Sequence, residues 1–433
     1  MDKKKTRIIL SWKQILILLL IGIVNGAIQL IPYMTSAFYD PFCQALNIDN
    51  TQLGIIMSIF GTVNIFAALP GGWLADRVDT KKLIVFALLL SGIMGLIAAF
   101  VMNFTVYCVL WFFFAIVGNT LYWSAGMKTV RFVGSRDEQG KAYGYYNAFN
   151  FAALSAFNAI GLAIVAAFTA TMVVAVRDVL VLFSIISFAA AVLSWIFLPS
   201  IKPVLSFSDI KKASAGSEER KANFKDILYV LKQKEIWLFS LMAFCVYSGL
   251  GIATYFTPYF GDVMGLNVAS AGLIYVMTGP LSIIFGPVFG TMSDGIHSTV
   301  KMMTILMAIN LVLLCVMLIL GSGVTLAMAI AIDVLVAVAA GGAYNVMFAS
   351  IEETGIDRRY AGTCVGVATI IAYLPDAFMY ILFGNWLDTY GNKGYDMIFV
   401  YMAILSAAAV VFGLLLYRSA KKRKALHAAA AQA

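Results

Sequence analysis

Ionisable side chains stand inside long apolar stretches of this sequence. Asp376 lies in YLPDAF beside Pro375, and Asp333 and Lys128 lie within two other apolar stretches. Ionisable residues at membrane depth usually face protein or water and mark pathways for protons, ions or solutes. A carboxyl group there can bind and release a proton, so Asp376 and Asp333 are the predicted proton-coupling residues. Lys128 can extend to the membrane interface or bind the negative group of a solute.

The elements that must hold these residues are membrane helices. Hydrophobic residues make up 62% of the chain, charged residues 12%, and the mean hydropathy is +0.90, whereas soluble domains carry about 25% charged residues. A bilayer core needs about 20 apolar residues per helix. Apolar segments of that kind are predicted at about 14–39, 51–74, 81–102, 105–132, 142–169, 177–199, 236–261, 268–293, 300–320, 324–350, 361–387 and 395–417.

Several classes of protein are excluded by residues that the sequence lacks. Its 5 cysteines are scattered singly and it has only 2 histidines, so neither a metal site nor a disulfide framework is expected. The sequence contains no phosphate-binding loop and no paired catalytic motif. We therefore predict that the chain is not an enzyme and has no cofactor, and that its partners are a small-molecule substrate and the lipid bilayer.

Basic residues predict the orientation of the chain. The N-terminus MDKKKTR, the central loop 200–235 and the tail RSAKKRK are all rich in Lys and Arg. Loops with this excess face the cytoplasm, so both termini are predicted to be cytoplasmic. The same asymmetry accounts for the net charge of +8 without a nucleic-acid partner. The expected location is the plasma (inner) membrane of a bacterium, as a multi-pass monomer.

The two halves of the sequence repeat one pattern. Gly72 and Asp76 have the same spacing as Gly290 and Asp294, 218 residues later. A glycine pair at the end of the fourth apolar segment recurs at the end of the tenth. Internal repeats of this kind are common in secondary transporters. The predicted organisation is therefore an N-terminal six-helix bundle at 1–199, a cytoplasmic loop at 200–235, a C-terminal six-helix bundle at 236–420 and a basic tail at 421–433.

The stretch GGWLADRVDTKK, residues 71–82, resembles the loop signature of the major facilitator superfamily between spans 2 and 3. The matching positions are Gly72, Leu74, Asp76, Arg77, Lys81 and Lys82, and Asp79 stands where that signature usually has glycine. The resemblance implies an all-α polytopic membrane protein with twelve transmembrane helices. Two pseudo-symmetric six-helix bundles would surround a central cavity and rock to give alternating access.

The charged stretch after span 2 is predicted to act as a gate. Gly72 is expected to let two helices approach closely, and Asp76 needs a partner near lipid. Lys128, Arg131 and the N-terminus of span 11 are the candidate partners, with contacts that exist only when the cytoplasmic side is shut. The predicted gating residues are Gly72, Asp76, Arg77, Arg131, Gly290 and Asp294.

Polar residues at helical spacing are the candidate substrate ligands. The resemblance implies that spans 1, 4, 7 and 10 line the cavity, and spans 5 and 11 add further polar residues. Side chains four residues apart share one helix face. The predicted substrate-binding residues are Asn25, Gln29, Tyr33, Asn119, Tyr122, Trp123, Lys128, Tyr146, Asn150, Tyr247, Tyr255, Tyr344, Asn345 and Tyr373.

The predicted function is secondary active transport of a small polar organic solute, either coupled to protons or by exchange. Lys128 with Arg131 favours an organic anion such as a sugar acid, a carboxylate or a phosphorylated compound. The arginines that organic-phosphate antiporters carry in spans 1 and 7 are missing here. The alternative is a proton-coupled exporter of drugs or lipophilic cations, favoured by Asp376, Asp333 and the many aromatic residues. A sensor that keeps the transporter fold without transporting is the third reading.

Overall fold

A computed structural model describes residues 11–133, 139–167, 171–201, 224–278, 281, 285–354, 356 and 360–430. Within these ranges every regular element is a helix. Close contacts divide the chain into two compact units. Unit 1 comprises Met1–Asn47 and Phe66–Ser217, and unit 2 comprises Ile48–Ile65 and Glu218–Ala433. One long helix, α3 (Asn50–Arg77), therefore begins in unit 2 and ends in unit 1.

Unit 1 is built from helices that run along most of the first half of the sequence. Its π-helical segment, Val117–Trp123, connects two α-helices without a loop. Besides the end of α3, its elements are α1 (Trp12–Leu30), α2 (Tyr39–Leu46), α4 (Thr80–Phe100), α5 (Phe104–Ile116), α6 (Ser124–Val133), α7 (Gln139–Ala167) and α8 (Met172–Phe197).

Unit 2 contains the remaining helices, several of them interrupted. Short 3₁₀ turns at Gly321–Gly323, Phe348–Thr354 and Leu374–Ala377 lie between or after its α-helices. The α-helices are α9 (Phe224–Leu231), α10 (Lys234–Gly251), α11 (Ala253–Asp262), α12 (Val268–Thr278), α13 (Gly286–Ile296), α14 (Thr299–Leu320), α15 (Leu326–Val346), α16 (Ala361–Ala372), α17 (Met379–Tyr390) and α18 (Lys393–Ala430).

The predicted all-helical membrane fold is confirmed. Among the described residues, 11 helical runs are long and apolar enough to cross a membrane. The predicted segment 268–293 appears as α12 and α13, and the residues between those helices lie partly outside the described ranges. The first predicted segment, 14–39, was too long, because α1 ends at Leu30 and is followed by Pro32, which cannot donate the next helical hydrogen bond.

Helix starts follow from short polar side chains in the sequence. Ser11 caps α1 and forms a capping box with Gln14. Asp79 caps α4 by accepting a hydrogen bond from the Lys81 backbone amide at 2.9 Å. Asn103, Thr171, Ser298 and Thr325 cap α5, α8, α14 and α15 in the same way. The residue that replaces glycine in the signature therefore has a structural role as a helix cap.

Small residues allow close helix packing inside each unit. In unit 1, a Cβ atom added to Gly22 of α1 would lie 2.7 Å from Phe149 Cβ on α7. In unit 2, a Cβ atom at Gly413 of α18 would meet the side chain of Thr304 on α14. Glycine at such contacts lets helix backbones approach closely, as is usual in membrane proteins.

Candidate functional site

A cluster of three tyrosines contacts Asp376 through the Tyr247 hydroxyl in unit 2. The Tyr247 hydroxyl of α10 donates a hydrogen bond to Asp376 Oδ2 at 2.7 Å. The ring centroid of Tyr247 lies 4.4 Å from that of Tyr373 and 6.0 Å from that of Tyr344. The Tyr344 and Tyr373 hydroxyls are 3.2 Å apart. The structure thus brings four of the predicted site residues together, from α10, α15 and the turn before α17.

The position of Asp376 follows from a break in its membrane span. The helix α16 ends at Ala372, and Asp376 lies in the 3₁₀ turn Leu374–Ala377 before α17 begins. Pro375 has no amide hydrogen and cannot continue the helical ladder, which accounts for the interruption of the span at this proline. Asp376 is 9% exposed, and no ion pair involving it is found among the described residues.

Asp333 is buried at a different level of unit 2. It is 2% exposed and its carboxyl group interacts with the Thr278 side chain of α12. Asp333 precedes Tyr344 by three turns of α15, about 16 Å along the axis at 1.5 Å per residue. The structure therefore places the two predicted proton-coupling residues in separate environments.

Two further predicted ligands in unit 2 lie outside the tyrosine cluster. The Tyr255 hydroxyl of α11 donates to the backbone carbonyl of Tyr380 at 3.2 Å, which joins α11 to α17. The Asn345 side chain follows Tyr344 by one residue and is exposed. Neighbouring residues on a helix point about 100° apart, so Asn345 does not share the face of Tyr344.

The predicted polar stripe of α1 is only partly formed. Gln29 Nε2 donates to Asn25 Oδ1 at 3.4 Å, so these two residues share one face as expected. Tyr33 does not continue the stripe, because it lies past the end of α1 and its side chain is 44% exposed. The prediction of three ligands on one uninterrupted helix face is therefore wrong at Tyr33.

Polar residues of α7 and of the π-helical segment meet α1 in unit 1. Tyr122 is buried, and its hydroxyl donates to the Ile21 carbonyl at 3.5 Å. Tyr146 and Asn150 are also buried, and no described residue donates a hydrogen bond to Asn150 Oδ1. Asn119 is partly buried, whereas Trp123 is 43% exposed. The buried members are the stronger candidates for contact with a solute.

Lys128 is engaged with the charged stretch that follows span 2. Its Nζ atom donates to the Ala75 carbonyl at 2.8 Å and lies 3.2 Å from Asp76 Oδ1. The Lys128 side chain is 23% exposed and that of Asp76 is 69% exposed. These contacts join the last turn of α3 to α6 within unit 1, so Lys128 is placed as a partner of Asp76.

The other predicted gating residues have separate neighbours. Arg77 stacks 4.2 Å above the Trp73 ring, and the Arg131 Nε atom donates to the Tyr143 hydroxyl at 3.3 Å.

The glycines of the predicted gate do not make close helix contacts. A Cβ atom added to Gly72 would meet no atom within 4 Å, so the predicted close approach at Gly72 is wrong. The close approach of two backbones occurs instead at Gly71, where an added Cβ atom would lie 2.6 Å from the Asn119 carbonyl oxygen. Gly290 also faces open space, and the Asp294 side chain lies outside the described residues.

Several residues of these sites were missed from the sequence. Thr120 of the π-helical segment donates to the Ala67 carbonyl of α3 at 2.6 Å. Asp388 accepts four hydrogen bonds from the first two residues of α3. A lone threonine within a predicted span, or a lone aspartate at the end of one, carries little signal. The π-helical hydrogen bonds around Thr120, often found at functional sites, are visible only in the structure.

Comparison with known proteins identifies the family of the chain. The model of the Major Facilitator Superfamily matches residues 14–380. The chain is 24% identical over 415 residues to the inner membrane protein YqcE of Escherichia coli, with 94% of this chain and 96% of that protein covered. The coverage shows that the likeness extends over both units and is not confined to the motif after span 2.

Solved structures show the same fold. A bacterial homologue of the human lysosomal transporter Spinster, in an inward-facing and occupied conformation, matches with a TM-score of 0.71 at 14% identity, covering 94% of this chain and 97% of that one. The nucleoside transporter NupG matches with a TM-score of 0.68 at 14% identity, covering 94% of this chain and 98% of that one. At these identities the likeness concerns the fold.

Proposed function

Because the chain belongs to the major facilitator superfamily, we propose that it is a proton-coupled secondary transporter in which Asp376 binds and releases the proton. It is a multi-pass membrane protein and a transporter, not an enzyme. Secondary transporters of this superfamily work by alternating access and bind small-molecule substrates within the membrane. The observation that carries the proposal is the buried Asp376 carboxylate at a helix break, held by Tyr247.

The contacts of Asp376 suit a group that gains and loses a proton. A carboxylate within a membrane span is costly unless it is hydrated or paired. Tyr247 supplies one hydrogen bond, and a cationic partner is not among the described contacts of Asp376. Binding a proton removes the charge, so the protonated form can cross between the two accessible states at lower cost. The conformational change is therefore easier with Asp376 protonated than with Asp376 charged, and this couples it to the proton gradient.

Asp76 and Lys128 are proposed as part of the cytoplasmic gate. Their ion pair ties the end of α3 to α6 and leaves most of the Asp76 carboxylate open to a further partner. A carboxylate at this edge can also bind the positive N-terminus of another helix when the cytoplasmic side is shut. Rocking of the two halves would make and break that second contact, as the superfamily signature implies.

The predicted organic anion depends on Lys128 as a free positive charge. Lys128 would first have to leave the Ala75 carbonyl and the Asp76 carboxylate. Asp376, by contrast, accepts a hydrogen bond from Tyr247, whose ring lies against those of Tyr344 and Tyr373, and aromatic faces attract cations. These contacts favour the alternative prediction, a cationic or lipophilic organic solute, over the organic anion.

A panel of solutes tests the proposal without knowledge of the natural substrate. Heat unfolding of the protein in nanodiscs would be measured with gluconate, benzoate and glycerol 3-phosphate as anions. Choline and tetraphenylphosphonium would serve as cations, and uridine as a neutral solute. A solute that binds only the folded state raises the unfolding temperature, and the rise grows with the ratio of the solute concentration to its dissociation constant. The matched variants are Asp376→Asn and Lys128→Gln.

The two substrate classes predict different patterns in this panel. For a cationic solute, choline or tetraphenylphosphonium stabilises the wild type, Lys128→Gln keeps that effect in full, and Asp376→Asn keeps a reduced effect because its tyrosine rings remain. Stabilisation by the anions alone, lost in Lys128→Gln and kept in Asp376→Asn, would support the organic anion and contradict the cationic class.

A further inference from the structure

Asp388 binds the N-terminus of α3 from the last turn of α17. Its Oδ1 atom accepts hydrogen bonds from the Asn50 backbone amide at 3.0 Å and the Asn50 side-chain amide at 2.8 Å. Its Oδ2 atom accepts from the Thr51 backbone amide at 2.7 Å and the Thr51 hydroxyl at 2.6 Å. All three residues belong to unit 2. The carboxylate thus caps a helix that is distant in the sequence and neutralises the positive end of its dipole.

The contact between α3 and α17 continues below this cap through glycines. A Cβ atom added to Gly54 would meet the Tyr380 carbonyl, and one added to Gly384 would meet the Asn50 carbonyl. Gly61, two turns along α3 from Gly54, would meet Asp376 in the same way. One face of α3, from Asn50 to Gly61, therefore packs closely against the segment from Asp376 to Asp388.

The position of α3 makes this contact relevant to transport. Residues 48–65 pack within unit 2, whereas the same helix continues into unit 1 from Phe66. In alternating access the two halves of a transporter move against each other. A helix shared between two compact units cannot keep all of its packing during such a motion.

The exposure of Asp388 suits a contact that opens and closes. The Asp388 side chain is exposed, so water can replace each of its four hydrogen bonds when α3 moves away. Gly54 and Gly384 have no side chain at their contacts, so the backbones of α3 and α17 can separate there without moving one. Asp76 lies at the opposite end of the same helix, so α3 carries one acidic contact at each end.

We propose that Asp388 is a latch that closes the side of the transporter opposite Asp76 by capping α3, and that it releases α3 when this side opens. This inference needs the transporter function but not the assignment of the proton to Asp376. The latch is predicted to be external, from the orientation given by the basic loops.

The first test measures the distance between two spin labels at the ends of helices on the predicted external side. Labels on Val173→Cys and Asn392→Cys, both exposed positions, would be placed in a chain whose native cysteines are replaced. The longer separation should gain about tenfold in population in Asp388→Ala, as expected from the loss of a charged helix cap. The matched control is Asn103→Ala, which removes the cap of α5, a helix that lies entirely in unit 1.

The latch is contradicted if folded Asp388→Ala gives the distance distribution of the wild type, or if Asn103→Ala changes that distribution equally. A second variant decides the question should Asp388→Ala fail to fold. In the double variant Thr51→Cys with Asp388→Cys, a disulfide between the two cysteines should keep the labels at positions 173 and 392 at the shorter separation. Reduction of this disulfide should allow the longer separation between the labels. Identical distributions in the oxidised and reduced forms would overturn the proposal.

The control for the disulfide is a pair inside unit 2. Asn310 of α14 donates to Ser406 of α18 at 2.9 Å, and neither helix is shared with unit 1. A disulfide in Asn310→Cys with Ser406→Cys should leave the label distances unchanged between oxidised and reduced protein. A shift in this control equal to that of the Thr51 and Asp388 pair would also count against the latch.

Discussion

At the scale of single residues, acidic side chains carry most of the functional argument, and each has different partners. Asp376 is buried against Tyr247, Asp76 is largely exposed beside Lys128, and Asp388 caps a helix. Exposed ion pairs contribute only about 0.2–1 kcal/mol to stability. The Asp76 pair is therefore better explained by its position between α3 and α6 than by the stability that it adds.

Asp76→Asn should change conformation more than stability. We expect an unfolding temperature within a few degrees of the wild type, since the pair is exposed. Spin labels on the exposed positions Phe132→Cys and Lys421→Cys, on the side predicted to be cytoplasmic, should show a larger population of the longer separation. The control is Asp178→Asn, which removes another ion pair, between neighbouring residues of α8. Equal label distances in Asp76→Asn and the wild type would refute the gating role of Asp76.

At the scale of elements, the sequence predicts which segments are helices better than where they touch. Apolar segments, polar caps such as Asp79 and the break at Pro375 can be read locally, because each depends on neighbouring residues. The close approach at Gly71 depends on helix rotation, which the repeated Gly-x-x-x-Asp spacing does not define. The cap formed by Asp388 joins residues more than three hundred positions apart, and no local pattern reveals it.

The packing of α1 against α7 predicts unequal effects for two glycines. Gly22→Ala places a methyl group 2.7 Å from Phe149 Cβ and 3.0 Å from the Asn150 backbone nitrogen. We expect a loss of about 1–3 kcal/mol and an unfolding temperature lower by several degrees. Gly144→Ala on α7 meets no atom within 4 Å and should gain up to about 1 kcal/mol from helix propensity.

Heat unfolding in detergent, followed by intrinsic fluorescence, measures both alanine variants under the same conditions. If Gly22→Ala and Gly144→Ala unfold at the same temperature, the close packing of α1 on α7 is not what stabilises unit 1.

At the scale of the whole molecule, the family and the helical architecture follow from composition, repeats and one motif, and the family match agrees with them. The candidate site is less predictable. The tyrosines around Asp376 come from helices far apart in the sequence, and only their meeting in unit 2 distinguishes them from other tyrosines in the spans. The partner of Lys128 could be predicted, because Asp76 lies in the signature motif at residues 71–82.

The most direct test of proton coupling is accumulation driven by a pH gradient in proteoliposomes. The solute selected in the thermal panel would be followed in wild type, Asp376→Asn and Asp333→Asn, with exchange of labelled solute measured without a gradient. We predict that Asp376→Asn still exchanges solute but no longer accumulates it, whereas Asp333→Asn does both. Accumulation by Asp376→Asn against the solute gradient, at the wild-type level, would contradict the account.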